Sequence, residues 1–230
     1  MKGGDDGNGE QGRADLGPLP AGHHGLSREQ VAESQRERLL AAVAHVVAER
    51  GYRAATITEI VKAASVSSRV FYEFFESKEE AFLASFEAVL GHFEDLIAAA
   101  IESESEWRRQ VVAAIRAGAL FCEQEPDLAK AFLVEPAAAT PAIATRFREA
   151  VMKWVPFLEQ GREERPEGKD LPDSTEDSVL GGLVFLTSRS IISGAEPSSI
   201  LPDLIDFALS PYIGTETAQK LAQEAAENGS

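Results

Sequence analysis

From Ser27 onward, apolar residues recur at helical spacing, and no segment shows the sustained alternation that a half-buried strand requires. The first run places its aliphatic side chains on one face, with Arg36, Arg38 and Glu49 on the other. These aliphatic residues are Leu39, Leu40, Val43, Val46 and Val47. Gly51 follows in the position of a C-terminal cap, because glycine readily adopts the left-handed backbone that ends many helices. The pattern predicts an all-α protein that begins with a long helix.

Two short helices are predicted after Gly51. Thr56 and Thr58 are both candidates for the N-cap of the first, because a threonine oxygen accepts a hydrogen bond from an unpaired backbone N–H at a helix start. The sequence Ser65-Val66-Ser67 interrupts this helix, and its last serine is a natural cap for a second helix that runs through Phe75. Two short helices joined by a tight turn are typical of a helix-turn-helix unit.

A longer helix is predicted to follow and to support this unit. Ser77 is its cap, and Glu80 stands at the third helical position, as in a capping box. Its apolar positions are Phe82, Phe86, Val89, Phe93 and Ile97. The helix-turn-helix is therefore predicted to lie between two longer helices that complete its core.

The rest of the chain is also predicted to be helical, with prolines and glycines marking the breaks. The predicted helices are Trp107–Glu123, Asp127–Val134, Pro141–Gln160, Ser174–Ser193 and Ser199–Tyr212. Four segments follow from this pattern: a disordered tail over residues 1–26, a helix-turn-helix domain over 27–80, a helical domain over 81–214 and a C-terminal tail over 215–230. The last segment reads either as a frayed tail or as a short surface helix.

Composition limits the class of protein without identifying it. The chain has 230 residues, 44% of them hydrophobic, which is enough for a packed core without disulfides or metals. Cys122 is the only cysteine, so no intrachain disulfide is possible, and a reducing compartment is expected. The sequence shows neither the apolar segment of a secretory signal nor the run of roughly 18–20 apolar residues that a membrane span needs. We therefore expect a cytoplasmic protein without a membrane partner.

The net charge of −16 is unevenly distributed. Residues 28–80 hold eight basic and nine acidic side chains, whereas residues 81–230 hold twelve basic and twenty-five acidic ones. Since affinity for DNA rests largely on contacts with phosphates, a nearly neutral helix-turn-helix segment is compatible with DNA binding but does not itself indicate it.

The stretch from Arg38 to Glu80 resembles the TetR family of regulators in both the order and the spacing of its residues. The matching positions are Ala44, Gly51-Tyr52, Thr56, Ile60, Ala64, Val66-Ser67, Phe71-Tyr72, Phe75 and Ser77-Lys78-Glu79. The resemblance implies a three-helix N-terminal domain whose third helix enters the major groove of DNA. It also implies a helical C-terminal domain for ligand binding and dimerisation.

The residue chemistry of the helix-turn-helix agrees with that implication. Side chains that reach base edges or phosphates stand around its turn, and Arg69 is suited to a guanine and Val70 to a thymine methyl group. The candidate DNA contacts are Thr58, Ser67, Ser68, Arg69, Val70, Tyr72 and Lys78. Four residues depart from the family: Ser65 replaces a usual glycine in the turn, Glu73 stands where a histidine or basic residue is common, Val61 replaces a frequent alanine, and Val47 a frequent phenylalanine. A carboxylate at Glu73 would repel phosphate.

The C-terminal domain is expected to hold a largely apolar effector and to form a homodimer through its last two long helices. Candidate pocket residues are Phe93, Ile97, Phe121, Phe132, Phe147, Val151, Phe185 and Arg189. Candidate dimer residues are Leu180, Gly182, Leu183, Leu186, Ile200, Leu204 and Phe207. An aromatic stripe at helical spacing is also compatible with an ordinary core, and Cys122 is read as a buried small hydrophobe.

Together these features predict a ligand-responsive, DNA-binding transcriptional repressor that a small molecule releases from a palindromic operator. The histidines and the single cysteine form no catalytic or metal-binding constellation, so we expect neither an enzyme nor a cofactor or metal. The alternatives are a helical protein-interaction adaptor that has lost DNA binding and, least favoured, an enzyme. The residues do not distinguish an activator from a repressor.

Overall fold

The computed structural model describes residues 27–227, so the tail predicted for residues 1–26 lies outside them. All the regular structure within this range is helical, as the sequence predicts. The N-terminal head (residues 27–77) contains α1 (Arg28–Arg50), α2 (Ile57–Ala63) and α3 (Ser68–Phe74).

Local hydrogen bonds mark the ends of the helices in the head and at the start of the next helix. Ser27 caps α1 in a reciprocal capping box with Gln30, and Gly51 ends it with φ of +79°. Ser77 Oγ accepts the N–H of Glu80 at 3.1 Å, but the Glu80 carboxylate accepts the N–H of Glu76 instead of that of Ser77. The capping box predicted at the start of the next helix is therefore only half formed.

Within residues 78–227, eight α-helices follow the head and form the C-terminal domain. They are α4 (Lys78–Glu102), α5 (Trp107–Gln124), α6 (Pro126–Ala129), α7 (Pro141–Met152), α8 (Val155–Glu159), α9 (Thr175–Ser193), α10 (Leu201–Ile213) and α11 (Thr215–Glu227). Between α6 and α7 the chain continues as a π-helical turn (Lys130–Val134) and a 3₁₀ turn (Glu135–Ala138). We call residues 126–140 the connecting segment.

One hydrophobic core crosses from the head into the C-terminal domain. Phe71 and Phe82 are fully buried in it, and Phe132 of the connecting segment and Ala150 of α7 belong to the same cluster. The Ser85 hydroxyl of α4 donates to a main-chain carbonyl of α1 within this core. A second core joins α5, α9, α10 and α11 around Trp107 and other buried residues. The head therefore packs continuously onto the domain below it.

One predicted helix is wrong in detail. The single helix predicted over Pro141–Gln160 is interrupted between Met152 and Val155, because Pro156 has no N–H to donate and its ring would clash with a carbonyl of the preceding turn. Of the two alternatives left for the segment after Gly214, the structure has the helix, α11, which packs against α10. Its buried residues are Ala218, Leu221, Ala222 and Ala225.

Within residues 27–227, we find no helix that is both long enough and apolar enough to cross a membrane. In the same range, no three or more histidine, cysteine, aspartate or glutamate side chains converge in a way that would hold a metal ion.

Candidate functional site

The first helix of the helix-turn-helix is capped by Thr56, one of the two threonines that the sequence left as alternatives. Thr56 Oγ1 accepts the N–H of Glu59 at 3.3 Å, and the Glu59 carboxylate accepts the N–H of Thr56 at 3.1 Å. The hydrogen bond from the Thr56 side chain lowers the pKa of Glu59 below its ordinary value. Thr58, which this arrangement does not use as a cap, lies exposed in the first turn of α2.

The turn between α2 and α3 carries the only positive φ outside glycine among the described residues, +53° at Ser65. A residue with a Cβ is disfavoured there, which explains the glycine usual in the family. Arg38 of α1 donates from Nη1 to the carbonyl of Ala64 at 3.0 Å, and the N–H of Val66 donates to the carbonyl of Val61. These bonds hold the turn and fix the direction in which α3 leaves it.

Helix α3 turns one face into the head and the other toward solvent. Phe71 and Phe75 anchor the inner face in the core. Val70 is half-buried and packs against the same cluster, so its side chain is less available to a thymine than predicted. Ser67 is exposed, and its hydroxyl serves as the N-cap by accepting the N–H of Val70 at 3.3 Å.

The outer face of α3 presents three side chains that were predicted to meet DNA. Ser68, Arg69 and Tyr72 are exposed, with Tyr72 leaving 59% of its surface free. Arg69 Nε donates to Glu73 Oε1 at 3.1 Å, one helical turn away. Such exposed pairs contribute little stability, about 0.3–0.5 kcal/mol, so the guanidinium can leave Glu73 when a stronger anion approaches. Glu73 would therefore compete with any anion that approaches Arg69.

Lys78 has a different role from the direct DNA contact that the sequence suggested. Its Nζ donates to the carbonyls of Tyr52 and Ala55, at 2.7 and 2.8 Å, and lies 4.5 Å from the centre of the Tyr52 ring. Burial lowers the pKa of the Lys78 ammonium. The side chain fastens the start of α4 to the loop between α1 and α2, and we leave it out of the proposed DNA contacts.

A cavity of about 240 Å³ lies below the head, surrounded by α4 to α10. Its walls are almost entirely carbon, and the polar side-chain atoms among its lining residues belong to Cys122, Trp154 and Thr187. Burial, followed by the charge of Glu123, raises the pKa of the Cys122 thiol to about 12, so this cysteine is a buried neutral group, as expected. Such a cavity suits an apolar ligand, since a charged group inside it would lose its hydration without compensation.

Six of the eight predicted pocket residues line this cavity. They are Phe93, Ile97, Phe121, Phe132, Phe147 and Val151. Phe185 and Arg189 do not: Phe185 is 63% exposed on the outer face of α9, and the Arg189 guanidinium lies 6.0 Å from the centre of its ring. Sequence reasoning missed much of the wall, including Phe86 and Leu90 of α4 and Ile115 of α5, although all three lie on apolar helical faces.

The predicted dimer residues divide into two groups. Leu180, Leu183 and Leu204 line the cavity, and their assignment to a dimer interface stays a prediction. Helix α9 is apolar around most of its circumference, and its sequence therefore does not indicate which side is inside. The other group is Gly182, Leu186, Ile200 and Phe207, none of which is fully buried.

Gly182 and Phe207 form one close contact between α9 and α10. A Cβ added at Gly182 would lie 2.4 Å from the Phe207 ring, so only glycine allows this ring to rest on α9. Phe207 nevertheless keeps 41% of its surface exposed. Phe185 and Ile192, further along α9, are 63% and 69% exposed. The two helices therefore carry an apolar outer surface, which we call the α9–α10 face.

The connecting segment touches the cavity on one side. Phe132 and Leu133 line the cavity, and the Phe132 ring lies 5.3 Å from that of Phe82 and 5.7 Å from that of Phe86. Phe82 belongs to the core beneath the head, so Phe132 contacts both the cavity and that core. A π-helical turn is uncommon, and single π turns recur at functional sites.

On its other side, the connecting segment is hydrogen-bonded to the head. Glu135 Oε2 accepts the N–H of Tyr52 at 2.8 Å. Arg53 Nε donates to the carbonyl of Ala138 at 3.0 Å, and His45 Nδ1 lies 2.9 Å from Asp127 Oδ2. A Cβ at Gly51 would lie 3.3 Å from the Glu135 carboxylate, so the backbone approaches this side chain closely. A displacement of the connecting segment would thus be transmitted to α1 and to the loop that follows it.

Comparison with known proteins agrees with this architecture. Residues 39–84 match the family model described as bacterial regulatory proteins, tetR family. The transcriptional activator FasR of Mycolicibacterium smegmatis is 28% identical over 131 residues, which cover 57% of this chain and 60% of FasR. The regulator BetI of Rhizobium meliloti is 30% identical over 99 residues, or 43% of this chain and 49% of BetI. The matched segments thus span less than two thirds of either relative.

The fold extends beyond the head. The structure of the transcriptional regulator FadR from Bacillus subtilis, in complex with stearoyl-CoA, superposes with a TM-score of 0.64 at 14% identity. The superposition covers 77% of this chain and 98% of that structure. Residues 39–84 thus match the amino-terminal domain of the TetR family, and the rest of the chain shares the fold of a solved transcriptional regulator.

Proposed function

We propose that this chain is a DNA-binding transcriptional repressor that a largely apolar small molecule releases from its operator. The observation that carries the proposal is the exposed outer face of α3, where Ser68, Arg69 and Tyr72 project from a firmly packed head. A short helix anchored on one side, with an arginine and a hydroxyl on the other, suits the major groove. Thr58, at the exposed start of α2, is placed for a phosphate.

We expect purified full-length protein to bind DNA flanking its own gene with a strong dependence on salt. If six or more phosphates are contacted, affinity falls about a thousandfold or more between 50 and 200 mM salt. Fluorescence anisotropy with labelled duplexes measures this, and a duplex of the same composition in scrambled order is the control. Equal binding to both duplexes would contradict the proposal. It would favour the adaptor alternative, which the Arg69–Glu73 pair and the net charge of −16 support.

The effector site is proposed to be the cavity below the head. Its carbon-lined wall supports an apolar ligand, and the stearoyl-CoA bound by the FadR neighbour has a long apolar chain. A ligand releases DNA only if it binds the DNA-free conformation more tightly than the DNA-bound one. We propose that the ligand displaces Phe132, and that the Glu135 and Arg53 bonds pass the displacement to the head.

We further propose a homodimer formed through the α9–α10 face. Large contiguous apolar patches are rare on monomers unless they serve an interaction, and Phe185, Ile192 and Phe207 are all exposed on these two helices. Gly181, next to the Phe207-bearing contact, has open space where a Cβ would stand, which permits close approach of a second helix. Two heads held by one symmetric interface suit a palindromic operator.

Replacing Phe185 with aspartate is expected to raise the dimer dissociation constant about thirtyfold or more, because aromatic anchors at interfaces contribute 2 kcal/mol or more. Sedimentation velocity over a concentration series measures the constant. Leu96→Asp, which places the same charge on an exposed leucine of α4, is the matched control. If both variants dimerise like the wild type, the α9–α10 face is not the interface.

A further inference from the structure

Two ion pairs join α4 and α7 across one side of the cavity. Arg146 Nη2 donates to Glu87 Oε2 at 2.7 Å, and Lys153 Nζ donates to Glu94 Oε2 at 2.6 Å. Glu87 and Glu94 are two helical turns apart on α4, and their partners are separated by the same distance along α7 and the residue after it. The four charges therefore form two ion pairs across the contact between α4 and α7, which we call the α4–α7 seam.

The cavity wall lies directly beneath these two ion pairs. Phe86 and Leu90 of α4 and Phe147 and Ala150 of α7 all line the cavity. The Arg146 guanidinium lies 6.0 Å from the centre of the Phe86 ring, so a cation is in contact with the wall itself. Between the two glutamates, an added Cβ at Gly91 would meet nothing within 4 Å, so solvent reaches the helix surface there.

The apolar lining of the cavity and the charged side chains at the α4–α7 seam together determine where a charged ligand group can lie. Among residues 27–227, no charged side chain lines the cavity, so a ligand that carries a charge must leave that charge at an opening. Across the seam, the Arg146 guanidinium reaches the apolar wall, and Lys153 forms the second ion pair along the same two helices. The carboxylate that pairs with each cation is itself partly exposed, 49% for Glu87 and 24% for Glu94. Pairs of this kind exchange readily, because water screens them.

We infer that the α4–α7 seam is the mouth of the cavity, and that Arg146 and Lys153 receive the anionic end of an effector whose apolar chain fills the interior. The inference rests on the proposed function, since it concerns the same effector site. A methylene group has a volume close to that of one liquid water, about 30 Å³, so a cavity of 240 Å³ has room for a chain of about eight carbons. Two chemical forms supply such an anionic end: a carboxylate at the end of the chain, or the phosphates of a coenzyme A thioester.

Isothermal titration calorimetry with the full-length protein and four probes tests the inference. Three probes carry an eight-carbon chain: octanoate, octanoyl-CoA and 1-octanol. The fourth, coenzyme A without an acyl chain, is the control. We expect at least one of the two anionic octyl probes to bind about tenfold more tightly than 1-octanol, because a charge-assisted hydrogen bond is added. The tighter of the two identifies the form of the anion. Coenzyme A alone is expected to bind least.

Removing the two cations and removing the two carboxylates should change the affinity for an anionic probe in opposite directions. Combining Arg146→Met with Lys153→Met is expected to lower the affinity for the tighter anionic probe about tenfold. The affinity for 1-octanol is expected to change less than about twofold. Combining Glu87→Gln with Glu94→Gln frees both cations and is expected to strengthen the anionic probe. Arg148→Met is the charge control, because Arg148 is exposed on α7 about 200° around the helix from Arg146.

Three results would overturn the inference. No octyl probe binds, the double Met variant lowers the affinity for 1-octanol as much as that for the anionic probe, or Arg148→Met has the same effect as the double Met variant. Operator binding, measured on the same samples, separates this failure from that of the proposed function. If the protein binds its operator and 1-octanol releases it, but substitution of Arg146 and Lys153 does not change probe binding, the proposed function stands. The assignment of the α4–α7 seam as the cavity mouth is then wrong.

Discussion

Replacing Arg69 with alanine is expected to weaken specific operator binding about ten- to a hundredfold, because a bidentate arginine–guanine contact contributes about 1–3 kcal/mol. The side chain is exposed on α3 and contacts Glu73 rather than the core, so the head should keep its fold. Fluorescence anisotropy with the operator duplex and with a scrambled duplex measures the loss. It should be much smaller on scrambled DNA, since a base contact adds mainly to specific binding.

Glu73→Gln is the companion variant, and its expected effect has the opposite sign. The amide removes a negative charge that faces the phosphates and releases Arg69 from its ion pair. We expect operator affinity to rise severalfold. Arg148→Ala removes an equal positive charge from α7, far from α3, and serves as the control. If Arg148→Ala weakens binding as much as Arg69→Ala does, only net charge matters and α3 is not the reading helix.

Replacing Glu176 with alanine is expected to lower the free energy of unfolding by about 3 kcal/mol, because the loss of one partner leaves a poorly hydrated cation. Glu176 is 2% exposed and accepts two hydrogen bonds from Arg162, at 2.8 and 2.7 Å. Tyr212 donates to the same carboxylate at 3.2 Å. Urea unfolding measures the change, and Asp177→Ala, at the exposed neighbouring position, is the control.

The same carboxylate predicts a pH dependence. Burial acts to raise the pKa of Glu176, but the hydrogen bonds and charge of Arg162 outweigh it, so the pKa lies below its ordinary value. A carboxylate with a lower pKa in the folded state stabilises that state at neutral pH, and this stabilisation is lost as the pH falls through the folded-state pKa. The stability difference between the wild type and Glu176→Gln should therefore shrink below about pH 4. A constant difference would contradict this assignment.

The head was predictable because its signals are local. Ser67 and Gly51 act within one helical turn of their own positions, and each determines a helix end whatever the rest of the chain does. The role of Lys78 was not predictable, because its two acceptor carbonyls lie 26 and 23 residues earlier in the chain. A lysine beside a DNA-binding motif has the same sequence pattern whether it faces phosphate or backbone.

In the C-terminal domain, helix positions were predictable and helix faces were not. Leu183 and Phe185 are two residues apart on α9, yet one lines the cavity and the other is exposed. A helix with apolar residues on several sides does not indicate which side meets the interior. The packing of α11 did leave a signal, since its buried positions 218, 221, 222 and 225 repeat at helical spacing. Three of the four are alanines, whose small apolar contribution made the pattern easy to overlook.

The connecting segment has a consequence for how different genes would respond. The same segment forms part of the cavity wall and bonds to the head, so under the proposed coupling operator and effector weaken each other's binding by equal factors. With the proposed coupling, a copy of the protein seated on a tight operator requires more effector for release than a copy on a weak one. Operators of graded strength would then convert one rising metabolite concentration into an ordered sequence of gene activation, without any change in the protein.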